Sequence, residues 1–173
     1  MSAADRPAPL APGPALARIR LLCCDVDGVL TDGGLYYDSN GNALMRFHVL
    51  DGMGLKRVQS AGVLTCFVSQ SATPIISARA KAIGVDQCFI GIENKKQVVC
   101  EFAASAGIDL RDICHIADDM NDIGLLEIVG VTVTVPGAVP DVMRICQYVT
   151  RAQGGRGAVR ELCEAIITSR KIS

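Results

Sequence analysis

Asp25 and Asp27 stand two residues apart at the end of an apolar run, in Asp25-Val-Asp-Gly-Val-Leu-Thr-Asp32, and a second acidic block, Asp118-Asp119-Met-Asn-Asp122, follows another such run. Between them Ser69 closes a third apolar run, and Lys95 opens a stretch with helical spacing. Carboxylates gathered in one cleft repel one another and resist ionisation unless a cation joins them. Donors that are all oxygen favour Mg²⁺, which takes one or two carboxylates together with waters and phosphate oxygens. The set therefore suits phosphoryl transfer: one carboxylate attacks phosphorus, and a second, protonated one donates to the leaving oxygen and then activates water. Asp25 is expected as nucleophile and Asp27 as general acid and base. Ser69 would hydrogen-bond a phosphoryl oxygen, Lys95 would neutralise charge, and Asp118 would bind the metal with Asp119 and Asp122 in support. Lys96 competes with Lys95, and the spacing to the double aspartate favours Lys95.

These residues must be positioned by something regular. Apolar runs at 19–24, 63–68, 87–90, 113–117 and 131–135 alternate with segments of three-to-four spacing at 51–61, 73–83, 95–106, 120–129 and 157–169. This alternation predicts an α/β fold, a Rossmann-like three-layer sandwich with a mainly parallel sheet. Gly62, Gly84, Gly107 and Gly130 follow helical segments and are expected as left-handed C-caps. In such a sheet ligands bind at the carboxyl ends of the strands, where the candidate residues fall. Because Asp25 and Asp27 would diverge on a regular strand, the chain must turn there, and Gly28 permits it. Residues 34–49, with the turn-rich Asp38-Ser-Asn-Gly-Asn42 at their centre, predict a β-hairpin after the first strand. No insertion is long enough for a separate cap domain.

The 173 residues carry 17 Lys and Arg against 18 Asp and Glu, and half are hydrophobic. Such a chain buries about 69% of its unfolded surface, enough for one domain at 18–173 with a true core. Balanced charge gives no pull toward nucleic acid or membranes. No apolar run reaches the roughly 18 residues that span a bilayer, and the first residues lack a basic-then-apolar leader. A cytoplasmic protein with a flexible 1–17 is expected. Its eight cysteines form no C-x-x-C pair and sit mostly in apolar runs, as buried reduced thiols do.

The D-x-D-G-V-L-T-D block, the serine after the second run, the lysine and the D-D-x-x-D block, in that order, resemble the haloacid dehalogenase superfamily of phosphatases from Ile19 onward. Asp25 to Gly33, Phe47-His-Val-Leu-Asp-Gly-Met-Gly54 and Gly154-Gly-Arg-Gly-Ala-Val-Arg-Glu161 resemble its small capless branch, which acts on 3-deoxy-manno-octulosonate 8-phosphate and, in relatives, on nonulosonate 9-phosphates. The resemblance implies Mg²⁺-dependent hydrolysis of a phosphorylated sugar acid through an aspartyl-phosphate. It also implies a homotetramer whose hairpins and tails cover neighbouring active sites. By the same resemblance Asp25 and Asp118 ligate the metal, together with the backbone carbonyl of Asp27. Two departures stand out: Thr-Gly-Arg after the second strand is here Ser69-Gln70-Ser71, without the arginine, and the glycine before the double aspartate is Ala117.

Thr31, Asp32 and Gln70 fall beside these blocks and are expected near the substrate. Asp51 is expected to cap the helix it opens and, with Gly52, to border the site. His48 is either a substrate contact or a packing residue, and His115, inside an apolar run, is expected in the core. Arg156 and Arg160, in the 151–173 tail and helix, would meet an anionic substrate or a neighbouring subunit. A phospho-receiver domain carries similar residues but in another order and lacks the acid that Asp27 supplies. A non-catalytic oligomerisation module with this fold would have lost one of the aspartates, and here all are present.

Overall fold

The computed structural model describes residues 7–172. All five predicted runs are strands: β2 (Leu21–Cys24), β5 (Leu64–Val68), β6 (Gln87–Phe89), β7 (Ile113–Ala117) and β8 (Val131–Thr134). With β1 (Ala8–Pro9) and β9 (Tyr148–Val149) they form one parallel sheet in the order β1-β9-β8-β7-β2-β5-β6. Helices cover both faces, so β2, β7 and β8 are buried along their whole lengths, which is why they read as unbroken apolar runs rather than alternating ones. One core layer lies under α1 (Pro14–Ala17), α2 (Val49–Ser60), α3 (Pro74–Ile83) and α7 (Ala158–Ile172). The other lies under α4 (Lys95–Ser105) and α5 (Ile123–Leu126), while α6 (Pro140–Ile145) shields a small third cluster around Val142.

Register places the site. Cys24, the last residue of β2, pairs with Phe67 on one side and Ile116 on the other, and the Asp25 amide still donates to the Ile116 carbonyl at 3.0 Å. The segments that follow β2, β5 and β7 therefore emerge side by side from one edge, bringing Asp25, Ser69 and Asp118 together although up to 93 positions of sequence separate them.

The hairpin forms as β3 (Tyr36–Tyr37) and β4 (Ala43–Leu44), antiparallel, its turn held by Asp38 Oδ1, which accepts from the Asn40 and Asn42 amides at 2.8 Å each. Its strands are shorter than the 34–49 expectation because Phe47 bridges back to Thr31 and α2 begins at Val49. Among the described residues no other insertion stands over the site, and no helix is long and apolar enough to cross a membrane.

Two expectations are corrected. Residues 1–6 lie outside the described part, but the remainder of the predicted flexible start is structured: β1 adds a parallel edge strand, and Leu16 is 1% exposed against α7. Pattern reading missed this because a two-residue strand and a one-turn helix are too short to show a period. Gly130 is not a left-handed cap like Gly62, Gly84 and Gly107. It is required because a Cβ there would stand 2.0 Å from the Arg111 carbonyl oxygen. All eight cysteines are free, and burial pushes Cys23, Cys24, Cys114, Cys146 and Cys163 above the ordinary thiol range, which suppresses the reactive thiolate.

Candidate active site

Beyond β2 the chain turns at once. The Val26 carbonyl accepts from the amides of Val29, Leu30 and Thr31, and Gly28 adopts φ 78°. A Cβ on Gly28 would lie 1.8 Å from Asp118 Oδ2, so glycine is needed both for the turn and for the close pass of the two acidic blocks. Thr31 is buried and holds this loop from within: its Oγ1 accepts from the Gly28 and Gly33 amides at 3.3 Å each. In this structure it staples the loop.

Asp25 is 4% exposed, and its Oδ1 accepts from the Val26 amide at 2.7 Å and from Lys95 Nζ at 2.8 Å. Lys95 is the first residue of α4, whose N-cap Asn94 accepts from the Gln97 amide, and its ammonium also donates to Asp122 Oδ2 at 2.7 Å. Lys96 is exposed, so the choice between the two lysines falls to Lys95. Burial pushes the Asp25 carboxyl well up, reinforced by the charge of Asp122 and opposed by Lys95. Burial alone would lower Lys95, but Asp25 and Asp122 together hold it above the ordinary lysine value.

Asp122 is fully buried, with Oδ2 on Lys95 and Oδ1 on His115 Nε2 at 2.7 Å. Both oxygens are thus engaged away from the cleft, and its support of the site runs through Lys95. Burial alone would raise its carboxyl, but His115 and Lys95 bring it below the usual carboxylate range. Asp118 faces the cleft with Oδ1 buried and unpartnered, and burial, then the charges of Asp119 and Asp122, push it up to about 6. Asp119 is exposed and caps the turn that follows, accepting from the Met120 amide at 2.6 Å.

Asp27 is exposed at the mouth, where its Oδ2 accepts from Ser69 Oγ at 3.3 Å, and Ser69 Oγ in turn accepts from the Ser71 amide at 3.0 Å. These groups line a cleft of about 470 Å³, whose rim includes Gln70, Ser71 and Asn121. A second depression adjoins it across Gly28 and Asp118, lined by Asp32, Gln153 and Arg156. Asp32 is already held there by the Tyr36 hydroxyl at 2.8 Å and by Arg46.

Four expected neighbours lie elsewhere. Asp51 caps a helix, but α7 rather than its own, its Oδ1 accepting from the Arg160 amide at 2.8 Å. Gly52 is buried where α2 meets Arg79 and Ile83 of α3. His48 is the N-cap position of α2, and its carbonyl accepts from Arg79. Arg160 pairs with Glu164 one turn along α7, at 2.9 Å. Packing of α2 against α7 explains Asp51 and Arg160, and packing of α2 against α3 explains His48 and Gly52, so residues conspicuous in a motif tie helices together beside the site. Sequence reasoning missed Asn121, Gln153 and the role of His115. For His115 a signal existed, since a polar side chain in a strand buried on both faces must find a partner.

The oxygen set fits a hard divalent cation. Two carboxylates, Asp25 and Asp118, come within hydrogen-bonding reach of each other, one with an orphaned buried oxygen, in a cradle that a Cβ at position 28 would fill. A donor set of two carboxylates suits Mg²⁺ completed by backbone and water oxygens better than zinc, which favours nitrogen and sulfur ligands.

Comparison with known proteins agrees with this geometry. Residues 91–162 match the haloacid dehalogenase-like hydrolase family. A 3-deoxy-D-manno-octulosonate 8-phosphate phosphatase, KdsC, from Yersinia pestis is 34% identical over 151 residues, covering 87% of this chain and 81% of that protein. The enzyme of the same name from Moraxella catarrhalis, solved with magnesium, phosphate and KDO, superposes with a TM-score of 0.88 at 30% identity, over 91% of this chain and 90% of that one. The cobalt-bound deoxy-D-mannose-octulosonate 8-phosphate phosphatase from Haemophilus influenzae does so at 0.87 and 32%, over 91% and 92%. With a third of its residues shared along nearly the whole length of these relatives, the chain belongs to the haloacid dehalogenase-like hydrolases and is a phosphatase.

Proposed function

We propose that this phosphatase is a cytoplasmic, Mg²⁺-dependent enzyme that hydrolyses a phosphorylated sugar acid, 3-deoxy-D-manno-octulosonate 8-phosphate, through an aspartyl-phosphate. The observation that carries the chemistry is the buried Asp25 carboxylate, held by Lys95 at 2.8 Å and faced by the unpartnered oxygen of Asp118, with Asp27 at the open side on Ser69. The substrate comes from the relatives, which carry that activity in their names. Asp25, Asp118 and the Asp27 carbonyl would hold Mg²⁺, which supplies neutralisation and alignment of the phosphoryl group.

An Asp25 carboxylate oxygen bonds to phosphorus as the phosphorus–oxygen bond to the sugar breaks, and the departing oxygen takes the proton from Asp27. Asp27 then accepts a proton from water as the water oxygen bonds to phosphorus and the acyl-phosphate bond opens, restoring the Asp25 carboxylate and releasing phosphate. Asp27 suits this double task because it is exposed: it can reach the leaving group and exchange protons with solvent. Ser69 Oγ, positioned by the Ser71 amide, is placed to donate to a phosphoryl oxygen.

A nonulosonate 9-phosphate is the second reading, favoured by Ser69-Gln70-Ser71, which puts neutral side chains where the resemblance has an arginine. Phosphate release from both sugar-acid phosphates and from ordinary sugar phosphates, with and without Mg²⁺ and with Asp25→Asn as blank, tests the proposal. Strong Mg²⁺-dependent preference for one sugar acid supports it. Equal weak activity on all removes the substrate, and no release at all removes the catalytic reading in favour of an oligomerisation module.

The proposal includes a homotetramer in which hairpins and tails cover neighbouring sites. It is supported by apolar side chains that this chain leaves uncovered on and beside the hairpin, Leu35 at 82%, Tyr37 at 63%, Leu44 at 57% and Val49 at 73% exposed. Sedimentation of a variant lacking residues 36–44 should show monomers, whereas intact tetramers would refute the hairpin's part.

A further inference from the structure

His115 is one of two histidines in the chain and lies within β7, entirely shut from solvent. Its Nε2 stands 2.7 Å from Asp122 Oδ1 and its Nδ1 3.2 Å from the Cys23 carbonyl oxygen. The Cys23 carbonyl and the Asp122 carboxylate can only accept, so each offers the ring a place to donate, and the other Asp122 oxygen takes an ammonium proton from Lys95 at 2.7 Å.

We infer that His115 is a positioning residue of the phosphatase site: it anchors Asp122, which aims Lys95 at the Asp25 carboxylate. The inference rests on the proposed roles of Asp25 and Lys95. Asp25, Asp122, Lys95 and His115 are each 4% exposed or less, so every hydrogen bond in this chain is shielded from water.

The orienting chain runs through three elements. Cys23 of β2 and Asp122 after β7 fix the imidazole at both ends, and Lys95 reaches in from the start of α4. Because β2 also carries the nucleophile, His115 ties the acidic block after β7 to the strand that delivers Asp25.

The test is a split of kinetic constants with a conservative rescue: His115→Phe should lower kcat about 10–100-fold with KM nearly unchanged, and His115→Gln, which keeps a hydrogen-bond donor, should lose less. In an Asp122→Asn background His115→Phe should cost nothing further. A folded His115→Phe enzyme with full kcat, or losses that simply multiply in the double variant, refutes positioning through Asp122. An Asp25→Asn protein that kept its activity would remove the catalytic reading itself, whereas full kcat in His115→Phe beside an inactive Asp25→Asn removes only the positioning role.

Discussion

Behind Asp25 every polar group is buried and engaged twice, whereas in front of it the groups are exposed and loosely held. Lys95 bridges two carboxylates at 2.7 and 2.8 Å, and Asp122 spends one oxygen on Lys95 and the other on His115. At the mouth, Asp27 meets Ser69 at 3.3 Å, and Gln70 meets Asn121 at 3.4 Å across the rim. The contrast teaches where each requirement is met. Charge held away from water acts strongly and needs no rearrangement during reaction, so the part common to any phosphate ester sits behind. Proton exchange and recognition of the organic part need solvent and room, so they sit in front, on loops that tolerate change.

Substitutions on either side of Asp25 test this division. The largest effect belongs to Asp25→Asn, which should reduce phosphate release to background while melting stays close to that of the parent protein; retained turnover would remove Asp25 as nucleophile. At the front, Asp27→Asn should slow kcat by roughly 10²–10⁴-fold with no loss in denaturant stability, since the side chain is exposed. At the back, Lys95→Met should affect both quantities: leaving two carboxylates buried without their cation costs about 3–5 kcal/mol, measured by urea unfolding, and activity falls with it. Equal stability of Lys95→Met and Lys96→Met would erase the contrast.

A smaller effect is a pH dependence. Asp118 is pushed up to about 6 in the folded chain, so folding takes up its proton. Its contribution to stability is complete below the unfolded carboxylate range and is lost as pH rises through about 6. Mg²⁺, which competes with that proton, should therefore raise Tm more at about pH 7.5 than at about pH 5, and an equal rise at both would argue against Asp118 as a ligand. The smallest effect is expected for Arg160→Ala. It breaks a half-exposed pair with Glu164 and should change stability by less than about 1 kcal/mol and leave KM unaltered. A raised KM would bring Arg160 back to the substrate.

Much of this was legible without coordinates. The five central strands, the hairpin, and the convergence of Asp25, Asp27, Ser69, Lys95 and Asp118 follow from apolar runs, helical spacing and a motif order that few chemistries use. The edge elements β1 and β9 did not, because strands of two residues carry no period. Asp51 looked like the cap of its own helix because a first-turn acid satisfies the same pattern whichever helix end it meets, and only the packing of α2 on α7 chose Arg160. Arg160 stood in a motif position because its amide takes the Asp51 cap, and Gly52 because α3 packs against it.

The amino-acid order by itself determined the local events: which runs extend, where glycine lets the chain turn, and which acids end their strands, all governed by side-chain pattern and backbone sterics over a few residues. Only the tertiary structure decided which lysine faces the nucleophile, that Asp122 serves Lys95 rather than the cleft, and that His115 stands behind both. Those choices depend on strand register and on the loss of water around groups up to ninety-seven positions apart in the chain, and neither is written in any single stretch of sequence.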